Sequence, residues 1–230
     1  MSAFLPVLAY QKIGLAPKNS HLKNEWASPH SLEKMLAWLL KHHHTFITPL
    51  DLQKELPSKP VILAFTGGYQ SFYTDVFPLL KAHNICATLF VVTGTLGTYN
   101  SWQNPYEEPW QNTLTEKQLK EMYKSKLVQI GTLGLDGHNL LEDKPATAQQ
   151  TLLESIHRLE TLYKITPCAV AFWPFAKDPK NNAFAIGGGI DLPIVTSKPG
   201  KNALTEKKFL RILHPGLFTK FLLWKNYRKK

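Results

Sequence analysis

Apolar runs alternate with amphipathic segments along most of this chain. Wholly apolar runs of about five residues are typical of strands that are buried on both faces of a parallel sheet. Segments in which apolar residues recur at every third or fourth position are typical of helices with one buried face. These patterns predict strands at residues 6–10, 61–65, 85–92, 128–132, 167–173 and 190–195, and helices at residues 28–41, 72–83, 115–124 and 146–163.

The order of these elements predicts the fold class. Residues 61–92 contain a strand, a helix and a second strand, which indicates a βαβ unit with parallel strands and a right-handed crossover. Because the alternation continues, we predict an α/β fold, either a barrel or a doubly wound sheet. In both folds, ligand sites lie at the carboxyl ends of the strands. The segments that follow the predicted strands are residues 10–12, 66–68, 93–94, 131–138 and 172–176.

The composition is that of one folded domain. The chain has 230 residues, 43% of them hydrophobic, and no Pro-rich or Gly/Ser-rich linker divides it. We therefore predict a single domain over residues 1–230 that ends in a helix at about residues 217–230.

The formal net charge of +10 favours anionic surroundings. Lysines are scattered along the chain, and the one dense basic cluster lies at residues 225–230. No combination of basic and aromatic residues matches a nucleic-acid-binding module, so we expect no nucleic-acid partner. Residues 217–224 are apolar and aromatic, which predicts a docked terminal helix or, as an alternative, a helix that attaches to a membrane or a protein partner.

The two cysteines, Cys86 and Cys168, lie in apolar runs and are predicted to be buried thiols. Their pairing would require neighbouring strands, which the sequence leaves open. Residues 1–8 lack the basic start, the long apolar stretch and the cleavage site of a signal peptide. We therefore expect a cytoplasmic protein, with export or peripheral membrane attachment as the alternative if the chain is a trimmed form.

An apolar strand that stops at Gly67 and Gly68 is the most informative feature of the chain. The segments at residues 64–73, 77–81 and 85–92 resemble the polysaccharide deacetylase (NodB-homology) family, in the subgroup that begins with a Y-H-x-I motif. The resemblance extends from about residue 8 to about residue 212. It implies an irregular (β/α) barrel that binds a divalent metal and removes N-acetyl groups from sugar polymers.

The resemblance also implies where the site residues should lie. The family strand ends in T-F-D-D-G-Y, whose first Asp is the general base and whose second Asp binds the metal. These positions are Thr66 and Gly67 here. The two histidine ligands correspond to Leu133 and Gly137, and the histidine of Y-H-x-I corresponds to Gln11.

None of these five residues supplies the family's chemistry. A catalytic divalent metal needs about three imidazole or carboxylate ligands, and a threonine hydroxyl is not a general base near neutral pH. We therefore predict no metal and no other cofactor. The leading hypothesis is a pseudoenzyme of this family with a carbohydrate-binding or protein-partner role.

Several other residues are candidates for binding or for a remodelled site. Trp102, Tyr106 and Trp110 lie in one loop, where they either stack on sugar rings or pin the loop to the barrel. A remodelled carbohydrate deacetylase or hydrolase would use Asp136, His138 and His214, although Asp136 and His138 equally suit a solvated turn. The predicted ligand-binding set is Tyr69, Trp102, Tyr106, Trp110, Asp136, His138, Trp173 and His214.

Overall fold

The computed structural model describes residues 5–140, 143–172, 190–199, 202–203, 209–213, 215, 219–220 and 222–223. Within these residues, the strands are β1 (Val7–Tyr10), β2 (Lys12–Ile13), β3 (Trp26–Ala27), β4 (Thr45–Ile47), β5 (Pro60–Gly67), β6 (Ala87–Val91), β7 (Val128–Thr132), β8 (Val170–Phe172), β9 (Ile194–Pro199) and β10 (Phe209–Ile212). The α-helices of the same residues are α1 (Pro29–Lys41), α2 (Phe77–His83), α3 (Glu116–Lys124) and α4 (Pro145–Thr161).

The main sheet has eight described strands and is nearly closed into a barrel. Its order is β1, β5, β6, β7, β8, β9 and β10, with β4 also paired to β5, and every described pair is parallel. The chain after β10 returns to β1, where the Leu213 amide donates to the Val7 carbonyl at 2.7 Å. Leu8 and Leu213 form a parallel bridge there. The predicted irregular (β/α) barrel is confirmed.

The barrel has an apolar interior and an apolar layer under the helices. Successive strand residues point to opposite faces, so Val7 and Ala9 join one cluster and Leu8 and Tyr10 the other. The interior cluster comes almost entirely from strands, whereas the outer cluster includes the buried faces of α1 and α3. All eight residues of β5 are buried, which confirms the strand that the apolar run predicts.

The helix starts follow from local chemistry. Ser28 caps α1, since its hydroxyl accepts from the Ser31 amide at 3.1 Å, and proline occupies the first turn. Thr115 and Gln118 form a capping box at the start of α3. These helices confirm the predictions at residues 28–41 and 115–124.

Several boundaries differ from the sequence prediction. The strand predicted at residues 190–195 is observed at Ile194–Pro199, and the helix predicted from residue 72 begins as a π-helical turn at Phe72–Val76. The short strands β2, β3 and β4 were not predicted, because two or three residues are too few to show a period. Both cysteines are free thiols; Cys168 is buried, but Cys86 is only half-buried, which corrects the expectation for that residue.

The predicted C-terminal helix is described only in part. Residues 219–220 and 222–223 are helical, and Leu223 is buried in the outer apolar cluster. This part supports a docked helix, while residues 217–218, 221 and 224–230 lie outside the described residues. In the described part of the chain, no helix is long and apolar enough to cross a membrane.

Candidate functional site

A cavity of about 600 Å³ lies at the carboxyl ends of β1, β5, β6 and β7. The parallel register places Gly67 beside Val91 and Val91 beside Thr132, so the residues that follow these strands meet at one edge. The structure brings together all five positions that the family resemblance marks. They are Gln11, Thr66, Gly67, Leu133 and Gly137, and each lines the cavity.

The ring of Tyr69 occupies the space beside Gly67. Gly67 has a φ of +97°, and a Cβ atom built on it would lie 2.8 Å from Cδ2 of Tyr69. Carbon atoms pack no closer than about 3.5 Å, so no side chain fits at this position while the ring stays. Tyr69 is buried, and its hydroxyl donates to Oε1 of Gln103 at 3.3 Å. Burial, together with the charge of Glu25, raises the pKa of Tyr69.

The indole of Trp102 has the same relationship to Gly137. Gly137 has a φ of +78°, and a Cβ atom there would lie 2.7 Å from Cδ2 of Trp102. Trp102 packs against the interior apolar cluster and against Tyr69, with ring centroids 6.0 Å apart. Two aromatic rings therefore occupy the volumes into which side chains at Gly67 and Gly137 would project.

The side chains at the positions that the resemblance marks as base and metal ligands do not fit a divalent cation. Thr66 supplies one hydroxyl, which already donates to the Tyr10 carbonyl at 3.4 Å. Leu133 is buried in the interior apolar cluster and offers no donor side chain. Over the described ranges, no group of three His, Cys, Asp or Glu side chains is placed to hold a metal ion.

A buried ion-pair network behind the cavity was not foreseen from the sequence. Lys12 is 1% exposed, and its Nζ lies 2.9 Å from Oε2 of Glu25 and 3.1 Å from Oε1 of Glu108. Glu108 is fully buried and also accepts hydrogen bonds from the Trp26 indole, at 2.8 Å, and from the Ser20 hydroxyl. The one sequence signal is a lysine close to the apolar start of the chain, between Gln11 and Ile13.

This network fixes the charge state of Glu108. Burial raises the pKa of its carboxyl, but hydrogen bonds from Ser20, Trp26 and Lys12 and the lysine charge outweigh burial and leave the pKa below its usual value. Glu108 is therefore ionised at neutral pH. The ion pair between Lys12 and Glu108 joins β2 to the loop before α3. It therefore holds that loop over the strand ends.

The loop aromatics divide into two groups. Trp102 is half-buried and lines the cavity, whereas Tyr106 is 89% exposed. Trp110 is exposed and stacks on Tyr99, with ring centroids 4.4 Å apart. The loop itself is held by Asn100, which bonds both Gln103 and the Gln111 amide. The structure thus assigns Trp102 to packing at the cavity wall and leaves the other two rings on the surface.

His138 lines the cavity as part of an ion cluster. Its Nδ1 bonds Asp136 and its Nε2 bonds Asp143. The hydrogen bond with Asp143 raises the pKa of His138, burial lowers it, and the contact with Asp136 raises it further, so the net shift is upward. Both ring nitrogens are engaged, which suits a charged clamp on the loop better than a general base.

Two further predicted residues, Trp173 and His214, lie outside the described residues.

Comparison with known proteins gives the family. The family model described as polysaccharide deacetylase matches residues 53–184. A poly-beta-1,6-N-acetyl-D-glucosamine N-deacetylase of Staphylococcus aureus (strain MRSA252) is 27% identical over 153 residues, which is 62% of this chain and 50% of that protein. The protein of the same name from Staphylococcus epidermidis is 27% identical over 173 residues, covering 70% of this chain and 57% of that protein. The chain thus spans about half the length of the curated relatives that it matches.

Solved structures show the same fold. IcaB from Ammonifex degensii superposes with a TM-score of 0.79 at 18% identity, covering 98% of this chain and 97% of that chain. The Streptococcus pyogenes deacetylase PplD, solved in complex with acetate, superposes with a TM-score of 0.75 at 20% identity, covering 92% of each chain. With the family model matching more than half of its length, this chain belongs to the polysaccharide deacetylase family.

Proposed function

We propose that this chain is a carbohydrate-binding member of the polysaccharide deacetylase family that does not catalyse deacetylation. The observation that supports this proposal most directly is the position of two rings. Tyr69 and Trp102 fill the volumes beside Gly67 and Gly137, where the resemblance places two metal ligands. If a larger residue were replaced by glycine with no other change, the volume beside the glycine would be empty.

The chemistry of the reaction gives the second argument. Hydrolysis of an N-acetyl group needs a group that takes a proton from water and a group that polarises the carbonyl oxygen. Thr66 stands where the base would be, and its hydroxyl donates to a backbone carbonyl. Leu133 and the two glycines offer no side-chain donor or acceptor.

Binding remains chemically reasonable because the cavity persists. A volume of about 600 Å³ can hold a small ligand such as one or two sugar rings. The wall includes the amide side chains Asn24 and Gln103 and the aromatic ring of Trp102. Amide groups and aromatic faces are the partners that sugar hydroxyls and sugar rings require. Since the relatives are named for a β-1,6-linked N-acetylglucosamine polymer, we take β-1,6-linked hexosamine chains as the ligand class.

The test uses the whole chain and a short β-1,6-linked N-acetylglucosamine oligomer. Acetate release is measured without metal and with added Zn²⁺, Co²⁺ or Ni²⁺, metal content is measured by mass spectrometry, and binding of hexosamine oligomers is measured by calorimetry. We expect no acetate above the buffer rate, no stoichiometric metal, and binding that a β-1,6-glucose oligomer does not reproduce. Stoichiometric metal together with acetate release would overturn the proposal.

A remodelled hydrolase is the second candidate, because His138 lines the cavity beside Asp136. It predicts acetate release that His138→Gln abolishes. The contacts of both ring nitrogens with carboxylates weigh against it. A membrane or partner role for the basic C-terminal residues stays a prediction, since residues 224–230 lie outside the described part of the chain.

A further inference from the structure

The cavity wall has a charge opposite to that of the chain. Although the net charge of the chain is +10, the described lining contains three glutamates, Glu25, Glu107 and Glu108, and neither lysine nor arginine. A ligand in this cavity therefore lies close to carboxylates and to no lysine or arginine of the described lining.

The buried cation behind the wall does not cancel this charge. Lys12 is one positive charge held between two carboxylates, those of Glu25 and Glu108. Glu107 is exposed on the same wall and adds a further negative charge. Even when protonated, His138 is one positive charge between Asp136 and Asp143. Each cluster keeps a negative excess, so the cavity attracts cations and repels anions.

Hydrogen-bonding capacity at the cavity points the same way. Gln11 lines the cavity, and its Oε1 is buried without a hydrogen-bond partner among the described residues. A buried acceptor that lacks a donor favours a ligand that brings donors. A protonated amine brings three donors and no acceptor, whereas an N-acetyl group brings only one N–H donor together with a carbonyl oxygen that itself needs a donor.

We infer that the cavity recognises the free, protonated amino groups of a de-N-acetylated hexosamine chain in preference to the N-acetylated chain. This inference rests on the proposed carbohydrate-binding function and names its ligand. In a reaction sequence, the ligand is the product of an amide hydrolysis, so a separate deacetylase must supply it. The protonated amine would approach the carboxylate of Glu107 and the face of Trp102, which also attracts cations.

The overall positive charge of the chain opposes binding of a cationic ligand. A chain of +10 repels a polycation at long range, so binding of an amine-bearing polymer requires local negative charge at the site. Screening by salt acts over about 10 Å at 0.1 M ionic strength. Salt screens the long-range repulsion as well as this local attraction, so the contribution of an exposed carboxylate, measured against a variant that lacks its charge, should shrink as salt increases.

The experiment compares two β-1,6-linked oligomers of equal length, one fully N-acetylated and one with free amines, by calorimetry at pH 6.5 and low salt. We expect the amine oligomer to bind about tenfold more tightly, and the effect of Glu107→Gln on its binding to shrink with added NaCl. Glu107→Gln should weaken amine binding about three- to fivefold and should affect binding of the acetylated oligomer less. The matched control is Glu55→Gln, which removes the same charge from an exposed residue before the start of β5, at the opposite end of that strand from the cavity.

The outcomes separate this inference from the function on which it rests. Equal or tighter binding of the acetylated oligomer overturns the inference and leaves carbohydrate binding standing. Binding of neither oligomer overturns both. Amine binding that is indifferent to Glu107→Gln at low salt also overturns the inference, because the charge of the wall would then not decide the preference.

Discussion

The ring of Tyr69 lies against Gly67 so closely that a Cβ atom at Gly67 would stand 2.8 Å from Cδ2 of the ring. The two residues are only two positions apart, at the end of the central strand β5. Trp102 repeats the relationship at Gly137 from a distant loop. The two glycines are therefore closely packed by aromatic rings, and a side chain at either position would require its ring to move.

We expect Gly67→Ala to destabilise the protein more than Gly97→Ala. Both glycines have positive φ, of +97° and +80°, so both variants incur backbone strain of about 1–2 kcal/mol. Only Gly67 has a ring against it, since nothing lies within 4 Å of a Cβ atom at Gly97. The clash should add about 1–3 kcal/mol, measured as the free energy of unfolding in urea. In the Tyr69→Ala background, Gly67→Ala should cost less free energy of unfolding than it does in the unaltered chain. A double-mutant cycle in which the two costs simply add would contradict this account.

Lys12→Met should be strongly destabilising. It leaves the carboxylates of Glu25 and Glu108 close together without their cation, and Glu108 is fully buried. Breaking a buried ion pair on one side costs about 3–5 kcal/mol. The control is Lys54→Met, which removes an exposed partner of Asp51 and should cost less than about 1 kcal/mol. Urea denaturation of both variants at pH 7 measures the difference, and similar losses would show that the buried network is not stabilising.

Protonation of His44 should contribute to acid destabilisation. Burial, with the charges of Lys59 and His42, lowers the pKa of His44 to about 4, and a histidine in an unfolded chain has a pKa of about 6.5. The stabilising contribution is therefore present above about pH 6.5 and is lost as the pH falls through about 4. His44→Gln should flatten the decline of the unfolding free energy between pH 7 and pH 4.5. His30→Gln, at an exposed histidine in α1, should not; parallel declines in all three proteins would exclude this role for His44.

Neither cysteine should react quickly in the folded protein. Burial raises the pKa of Cys86 to about 11 and that of Cys168 to about 12, and the thiolate is the reactive form. We expect no rapid labelling by a thiol reagent at pH 8, and labelling of two thiols after denaturation without reductant. Because Cys86 is half-buried, it should be the first to react when labelling is slow. One or no thiol in the denatured, unreduced chain would indicate oxidation.

The carboxyl edge of the sheet was predictable because its signals are local. An apolar run followed by two glycines identifies the end of β5. The helix and apolar run that follow predict a second strand, β6, paired in parallel with β5. In the structure, Thr66, Gly67, Leu133 and Gly137 line one cavity at that edge. The strand predicted at residues 190–195 was displaced, because short apolar runs set the presence of a strand better than its ends.

The side chains that shape the site were only partly predictable. The loop pattern of Trp102, Tyr106 and Trp110 equally suited burial and exposure. In the structure Trp102 is half-buried, whereas Tyr106 is 89% exposed and Trp110 is 44% exposed. Lys12 and Glu108 carry opposite charges, but so do many residue pairs in the chain. Nothing in their spacing indicates that they meet.

The sequence by itself determined the barrel and the strand ends that line the cavity, and it fixed which residue types stand at the positions that the resemblance marks. Periodicity depends on neighbouring residues and side-chain chemistry depends on residue type, so both can be determined from the sequence. Only the tertiary structure decided that the rings of Tyr69 and Trp102 fill the space beside two glycines, and that Ser20 meets Glu108 across 88 residues. Such contacts depend on the paths that long loops take over the barrel. Packing and buried charge together select those paths, and no local sequence pattern specifies them.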